Sequence, residues 1–437
     1  MMRISSPLAA ALAFTPLLAV CSALQSAHAQ APAAATALIG ARLFDGTGSA
    51  PIESSAVVIR DGRIEAAGAA DTVTVPADAV RVDLSGKTLL PGLINAHGHL
   101  GADQSDRPVR DKLIGQLRVY ADYGVTTVVV LGTEEGDLEE AVRLRREQDS
   151  GDLDRARVYV AGPSLQALRT AEEARSRVNA YADAGVDIIK IHITGGPNDM
   201  TPAVYGALIE QAHMRGLGVA AHLYYLDDAH GLLDAGVDVI AHSVRDQDVD
   251  AALIAKIRQR DVPYIATFTR DLAQFVYETT PAFFDDPFFL RHVDAFRPQM
   301  TLLNDTARQE ETRNSPQRQA MKPALEQGMR NLQALSDAGV LIAMGSDSGA
   351  NLGQWQGYFE HTELEMMVDA GMSPAQALVS ATGDAARAMG LDEELGTVQP
   401  GRRADLLVLD ANPLEDIRAT REIDSVWIAG RRLEDLP

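Results

Sequence analysis

Cysteine is almost missing from this chain: a single residue, Cys21, stands among 437. It falls in an N-terminal stretch with the marks of a secretion signal. Arg3 precedes the apolar run PLAAALAFTPLLAVCSAL, and the small residues AHA at 27–29 fit a cleavage site. Residues 1–29 are therefore expected to be a signal peptide, followed by a flexible leader over 30–36, on an exported and periplasmic protein. Cleavage leaves a mature chain without cysteine, which excludes disulfides, a thiol nucleophile and a thiolate zinc site. Val20 before Cys21 is a poor fit to a lipid anchor. Positive charge is also scarce: 39 Lys and Arg face 61 Asp and Glu, for a net charge of −22. That balance repels nucleic acid and anionic lipid. No long apolar run follows the leader, so no membrane span is expected.

What is present is an organised alternation. From Ala37, ALIGARLFDGTG and SAVVIRDGRIEAAG alternate apolar and polar residues around Asp-Gly turns, the pattern of short antiparallel strands. The style returns in GTVQPGRRADLLVLD and IDSVWIAGRRL near the C-terminus. The two ends, 37–88 and 395–437, are expected to build one composite β-sandwich. Between them, over 89–394, eight apolar strands alternate with helical stretches: LPGLINAHGHL, VTTVVVLG, RVYVAG, VDIIKIHITGG, LGVAAHLYY, VDVIAHSVRD, VPYIATFTRD and VLIAMGSDSGA. Alternating strands and helices imply parallel strands joined by right-handed crossovers, and eight units suggest closure. The expected fold is α/β, a (β/α)8 TIM-like barrel with the composite sandwich attached. An aromatic-rich insertion at about 271–335 separates the last two strands and reads equally as a lid or as an extra helical layer.

Polar, metal-capable side chains recur at the C-terminal ends of these strands, the active face of such a barrel. His97 and His99 end the first; their i, i+2 spacing aims both at one point. Lys190 lies in the fourth, His222 ends the fifth, His242 the sixth and Asp347 the eighth.

The motifs PGLINAHGHL, DIIKIHITGG, VAAHLYY, VIAHS, GSDSG and GMSPAQALVSATGDAARAMGL resemble the metal-dependent amidohydrolase superfamily, in its imidazolonepropionase-like and Xaa-Pro dipeptidase-like branch. The resemblance spans nearly all of the mature chain. It implies that His97, His99 and Asp347 bind one divalent ion and His222 and His242 a second, with N6-carboxylated Lys190 as the bridge. Imidazole and carboxylate donors suit Zn²⁺, with Mn²⁺, Co²⁺ and Fe²⁺ as alternatives. Such a pair lowers the pKa of a shared water towards about 7. Asp347 is then the catalytic base, and later the acid that protonates the leaving nitrogen.

Asn95 stands two before His97, where relatives carry Asp; since it is not a required ligand, its effect is expected on neighbouring contacts only. His192 shares a strand face with Lys190 and is a candidate substrate contact, as are Tyr224, Tyr225, Arg245 and Arg270. The two arginines suit a substrate carboxylate. His213, His230, His292 and His361 fall in helical or insertion segments and are left out. The expected activity is hydrolysis of a small-molecule amide, in a dipeptide or N-acyl amino acid. The alternative is a cyclic amide, carbamate or xenobiotic amide. A metal-binding protein without catalysis is disfavoured, because binding alone does not require Asp347. Association into a homo-oligomer is compatible with the sequence but is not specified by it.

Overall fold

A computed structural model of the chain describes residues 34–103, 105–149 and 153–433. The expected signal peptide, Cys21 and most of the leader lie outside the described residues. Thr36, at the end of the expected leader, already opens a strand, Thr36–Ile39.

Seven parallel strands form the centre: β1 (Leu93–Gly98), β2 (Val125–Val130), β3 (Arg157–Val160), β4 (Ile188–His192), β5 (Gly218–His222), β6 (Val239–Ala241) and β7 (Tyr264–Ile265). Their residues are buried almost throughout, because helices and loops cover both faces and leave no polar side. β1 to β3 form one sheet and β4 to β7 another. Isolated parallel bridges, Ala161 to Ile188 and Leu165 to Ile191, connect the two. The helices between strands begin and end where the sequence stops them. Thr170 caps Ala171–Ala184 by accepting from the Glu173 amide, Gly185 closes it in the left-handed region, and Asp250 caps Ala251–Arg260 through the Leu253 amide.

The eighth expected strand, read at 340–350, is not one. Residues 341–347 touch their neighbours through a few bonds only: Tyr264 N to Leu341 O and Ala343 N to Tyr264 O on one side, Ala96 N to Met344 O and Asp347 N to His97 O on the other. Two local features break the ladder. A Cβ on Gly345 would stand 2.7 Å from the His97 Cβ, and Asp347 has φ +57°. The segment thus approaches β1 too closely and turns too sharply to run as a regular strand.

The two chain ends meet. Leu406–Leu409 pairs antiparallel with Thr88–Pro91 and with Ile423–Ile428, in a sheet that also holds Arg42–Leu43 and Arg431–Arg432. A second sheet contains only N-terminal strands, Thr36–Ile39, Ser55–Arg60, Arg63–Ala69 and Val80–Asp83. Side chains from both, among them Leu38, Val57, Leu89, Leu406 and Trp427, share one apolar cluster. Buried Arg157 of β3 pairs with buried Asp405, tying the C-terminal segment to the central strands.

The insertion is a helical layer. Its aromatic residues, with Tyr277, Phe284, Phe289 and Phe296 innermost, pack against Tyr123, Trp355 and Phe359. No residue of 271–335 lines the cavity described below.

Candidate metal centre

At the C-terminal ends of the parallel strands lies a cavity of about 450 Å³, into which His97, His99, Lys190, His222, His242 and Asp347 all converge. Strand register explains the convergence. Lys190 and His192 share one face of β4, and His192 stands directly opposite His222 of β5. The imidazoles form a chain, with ring centroids 3.9 Å apart for His192 and His222, 4.1 Å for His222 and His242, 4.6 Å for His97 and His242, and 5.5 Å for His97 and His99.

Asp347 is the hub. Its Oδ1 lies 2.8 Å from His99 Nε2 and 3.0 Å from His97 Nε2. The ligand atoms of His97, His242 and Asp347 all lie within 4.8 Å of one another. His99 Nδ1 stands 2.9 Å from the carbonyl of Gly132 and so carries the donated proton. His242 Nδ1 is 2.6 Å from Thr267 Oγ1, whose own hydroxyl donates to the Ala266 carbonyl. Burial keeps the His242 ring neutral, so its Nε2 lone pair is free. His97 is buried and its Nδ1 has no partner among the described residues. Buried imidazoles converging on an ionised carboxylate, with one ring nitrogen left unpaired, form a donor set that fits a divalent ion.

The protonation states agree. Burial lowers His97 to about 3 and His192 to about 4, and drives His222 and His242 well below the ordinary imidazole value. Burial would raise Asp347, but His97 and His99 outweigh it and hold the carboxylate ionised. Lys190 is buried 3.4 Å from His97 Nε2, and burial lowers it to about 7. A large fraction is a free amine at neutral pH.

Backbone strain concentrates here. His242, Thr267 and Asp347 have φ of +82°, +57° and +57°, a region that costs a side-chain-bearing residue roughly 1–3 kcal/mol. Each turns its chain at the end of the strand layer, aiming a side chain inward.

Below Asp347, Asn95 Oδ1 accepts from the His97 amide, and its Nδ2 donates to Ser346 Oγ and Glu360. Glu360 also accepts from the hydroxyls of Ser346 and Ser348. Asn95 thus ties the His97 amide to Ser346 and Glu360 through its side chain.

The expected substrate contacts separate. His192 and Arg270 line the cavity. Arg270 Nη1 binds Asp271 Oδ1 at 2.7 Å, and its Nε lies 3.7 Å from Asp347 Oδ2. Arg245, Tyr224 and Tyr225 are not among the residues that line the cavity. Arg245 is 3% exposed, donates to the Ser243 carbonyl, lies 3.4 Å from Asp271 and stacks on Tyr224. Its charge is consumed inside the protein. Tyr225 is 42% exposed and its ring flanks Gly195. His361, left out of the sequence-derived site, is a packed histidine between Thr420 and the Tyr123 carbonyl. Sequence reasoning missed Thr267, Glu360 and Glu363. The only available signal for the last two was the placing of acids within the apolar pattern of YFEHTELEMM.

Parallel strands ending in a buried imidazole, carboxylate and lysine cluster define a class of metal-dependent hydrolases. The chain belongs to the amidohydrolase family, whose model matches residues 88–433, and it is a hydrolase acting on carbon–nitrogen bonds. It is 26% identical over 386 residues to the imidazolonepropionase of Rhodococcus jostii (strain RHA1), covering 82% of this chain and 83% of the relative. A crystal structure of a Bifidobacterium longum protein assigned as a prolidase matches at 29% identity with a TM-score of 0.72, covering 91% of this chain and 94% of that one. A Xaa-Pro dipeptidase structure with bound methionine matches at 21% identity and a TM-score of 0.72, covering 92% and 100%; it shares the fold.

Proposed function

We propose that the protein hydrolyses the amide bond of a substrate bearing a free carboxylate, a dipeptide or an N-acyl amino acid, at a binuclear centre held by His97, His99, Lys190, His222, His242 and Asp347. The observation that carries this reading is the convergence of His97 and His99 on Asp347 Oδ1, beside buried Lys190, in a cavity that also holds the Arg270 guanidinium. Two divalent ions, with Zn²⁺ the best match to these donors, supply when bound the Lewis acidity that polarises the scissile carbonyl and acidifies the attacking water.

The chain's own groups do the rest. Lys190, as a free amine, attacks the carbon of carbon dioxide; an N–C bond forms, the nitrogen loses a proton to solvent, and the resulting carbamate reaches both ligand sets. Asp347 accepts the proton of the attacking water and returns it to the departing nitrogen. Arg270 anchors the substrate carboxylate: Asp271 occupies Nη1, and Nη2 has no partner among the described residues. The relative assigned as a prolidase supports a dipeptide-like substrate.

The same reading closes the central strands as a (β/α)8 barrel over 89–394, with 37–88 and 395–437 as a composite sandwich. It also places the mature protein in the periplasm after removal of residues 1–29.

A panel of dipeptides and N-acyl amino acids, each paired with its carboxamide, assayed on the Zn²⁺-loaded full chain, tests the function. Preference for the acids supports it. Equal turnover of acids and carboxamides transfers the reading to neutral amides and carbamates.

A further inference from the structure

Helix α1 (Phe268–Leu272) has only five residues and carries Arg270. Its first residue follows Thr267, which is strained at φ +57° and holds His242 through its hydroxyl. A helix this short does not maintain itself, because nucleation costs more than its few internal bonds return. Something outside must hold it.

That support comes from helix α2 (Tyr358–Asp369). Glu363 is fully buried, and both of its oxygens are used. Oε1 accepts from the Phe268 amide at 2.7 Å; Oε2 accepts from the Thr269 amide at 2.7 Å and from Thr269 Oγ1 at 2.8 Å. One carboxyl group therefore satisfies the first two amides of α1, which have no partner within the helix. Thr269 Oγ1 also lies 2.9 Å from the carbonyl of Ser346, next to Asp347, so the same contact reaches the opposite wall of the centre. Glu363 itself does not line the cavity. Burial raises its carboxyl to about 8 against the pull of its three donors, so an apolar residue would be the less costly occupant unless the position needs an acceptor.

We propose that Glu363 is a positioning residue of the metal centre: by gripping Phe268 and Thr269 it sets Thr267, and through Thr267 the direction in which His242 presents Nε2. The inference rests on the reading of this cavity as a metal site. The chain of contacts is Glu363 to the Phe268 and Thr269 amides, then Thr267 Oγ1, then His242 Nδ1. No glycine in that chain would absorb an error. Partners of this kind, one bond removed from a ligand, typically change metal affinity about 10- to 100-fold when lost.

The test uses Co²⁺ as the probe, titrated into the metal-free full chain and followed by its visible ligand-field bands, with circular dichroism and melting curves recorded in parallel. Glu363→Gln keeps the shape but opposes a donor to the Thr269 amide. It is expected to fold as the wild type while binding Co²⁺ about 10- to 100-fold more weakly, with displaced bands. Thr269→Val removes one of the three donors and is expected to move affinity and bands in the same direction by less. It decides the matter if Glu363→Gln does not fold. A lowered melting temperature with unchanged Co²⁺ affinity and superimposable bands in the folded variants overturns the proposal, since that is what mere structural support predicts. Co²⁺ binding indifferent to His97→Ala and His242→Ala overturns the metal-site reading itself, and this inference with it.

Discussion

His99 Nε2 lies 2.8 Å from Oδ1 of Asp347, while the other nitrogen of the ring faces the Gly132 carbonyl at 2.9 Å. His97 Nε2 stands 3.0 Å from the same oxygen, and the two rings together hold the buried carboxylate ionised. The proposed reading gives this carboxylate two roles, ligand and base.

Asp347→Asn separates those two roles. The amide still offers an oxygen to an ion but cannot accept the proton of water, a function worth roughly 10²- to 10⁴-fold. The expected outcome is a kcat reduced by that order, with most bound metal retained by elemental analysis. Loss of metal with kcat per bound ion unchanged would show that Asp347 acts as a ligand alone.

Lys190 makes the metal-free protein sensitive to base in a defined direction. Its ordinary value of 10.5 falls to about 7 in the fold, so between these limits the unfolded chain binds more protons than the folded one. Stability therefore rises with pH across that window. On the acid side His97 and His192, at about 3 and 4, are neutral in the fold and charged in the unfolded chain, so stability falls as pH drops from about 6.5. Melting curves of chelated protein in buffer free of carbon dioxide should show both slopes. Lys190→Met should remove the alkaline slope and keep the acid one.

Arg270→Met deletes the guanidinium beside Asp347 while retaining the aliphatic stem. Losing a hydrogen bond between charged groups costs about 1.5–3 kcal/mol, roughly a 10- to 100-fold rise in KM. The rise is expected for substrates with a carboxylate and not for their carboxamides. Steady-state kinetics on matched acid and amide pairs reads this directly, and equal effects on the two would remove Arg270 from substrate recognition.

The insertion is expected to matter for stability and not for chemistry. Tyr277 donates to the Gly353 carbonyl and accepts from Trp355 Nε1 at 2.7 Å, both in the interior. Tyr277→Phe leaves the indole N–H unpartnered at a cost of about 1–3 kcal/mol. Denaturant unfolding should show that loss with KM unchanged; a KM shift would make the layer a wall of the site after all.

Much of the candidate site was legible in the sequence because alternation along parallel strands converts spacing into direction. The pair at His97 and His99, with Lys190, His222 and His242 on other strands and Asp347 in the segment after them, all meet in one cavity. Arg245 and Arg270 looked alike in sequence, each a few residues past a strand, and they diverged in space. One guanidinium turned inward onto Asp271 and Tyr224, the other into the cavity. The eighth strand also misled. Its apolar run VLIAM is genuine, but close approach at Gly345 and the turn at Asp347 leave too little regular pairing.

Local order alone determined which side chains end which strands, since period-two alternation and helix caps act over a few neighbours. Only tertiary structure decided what those side chains then meet. Thr267 reaches His242 across 25 residues, and Glu363 reaches Phe268 across 95. Contacts of that range depend on how helices pack over the strand ends, and burial and pairing at such distances leave no periodic trace in the chain.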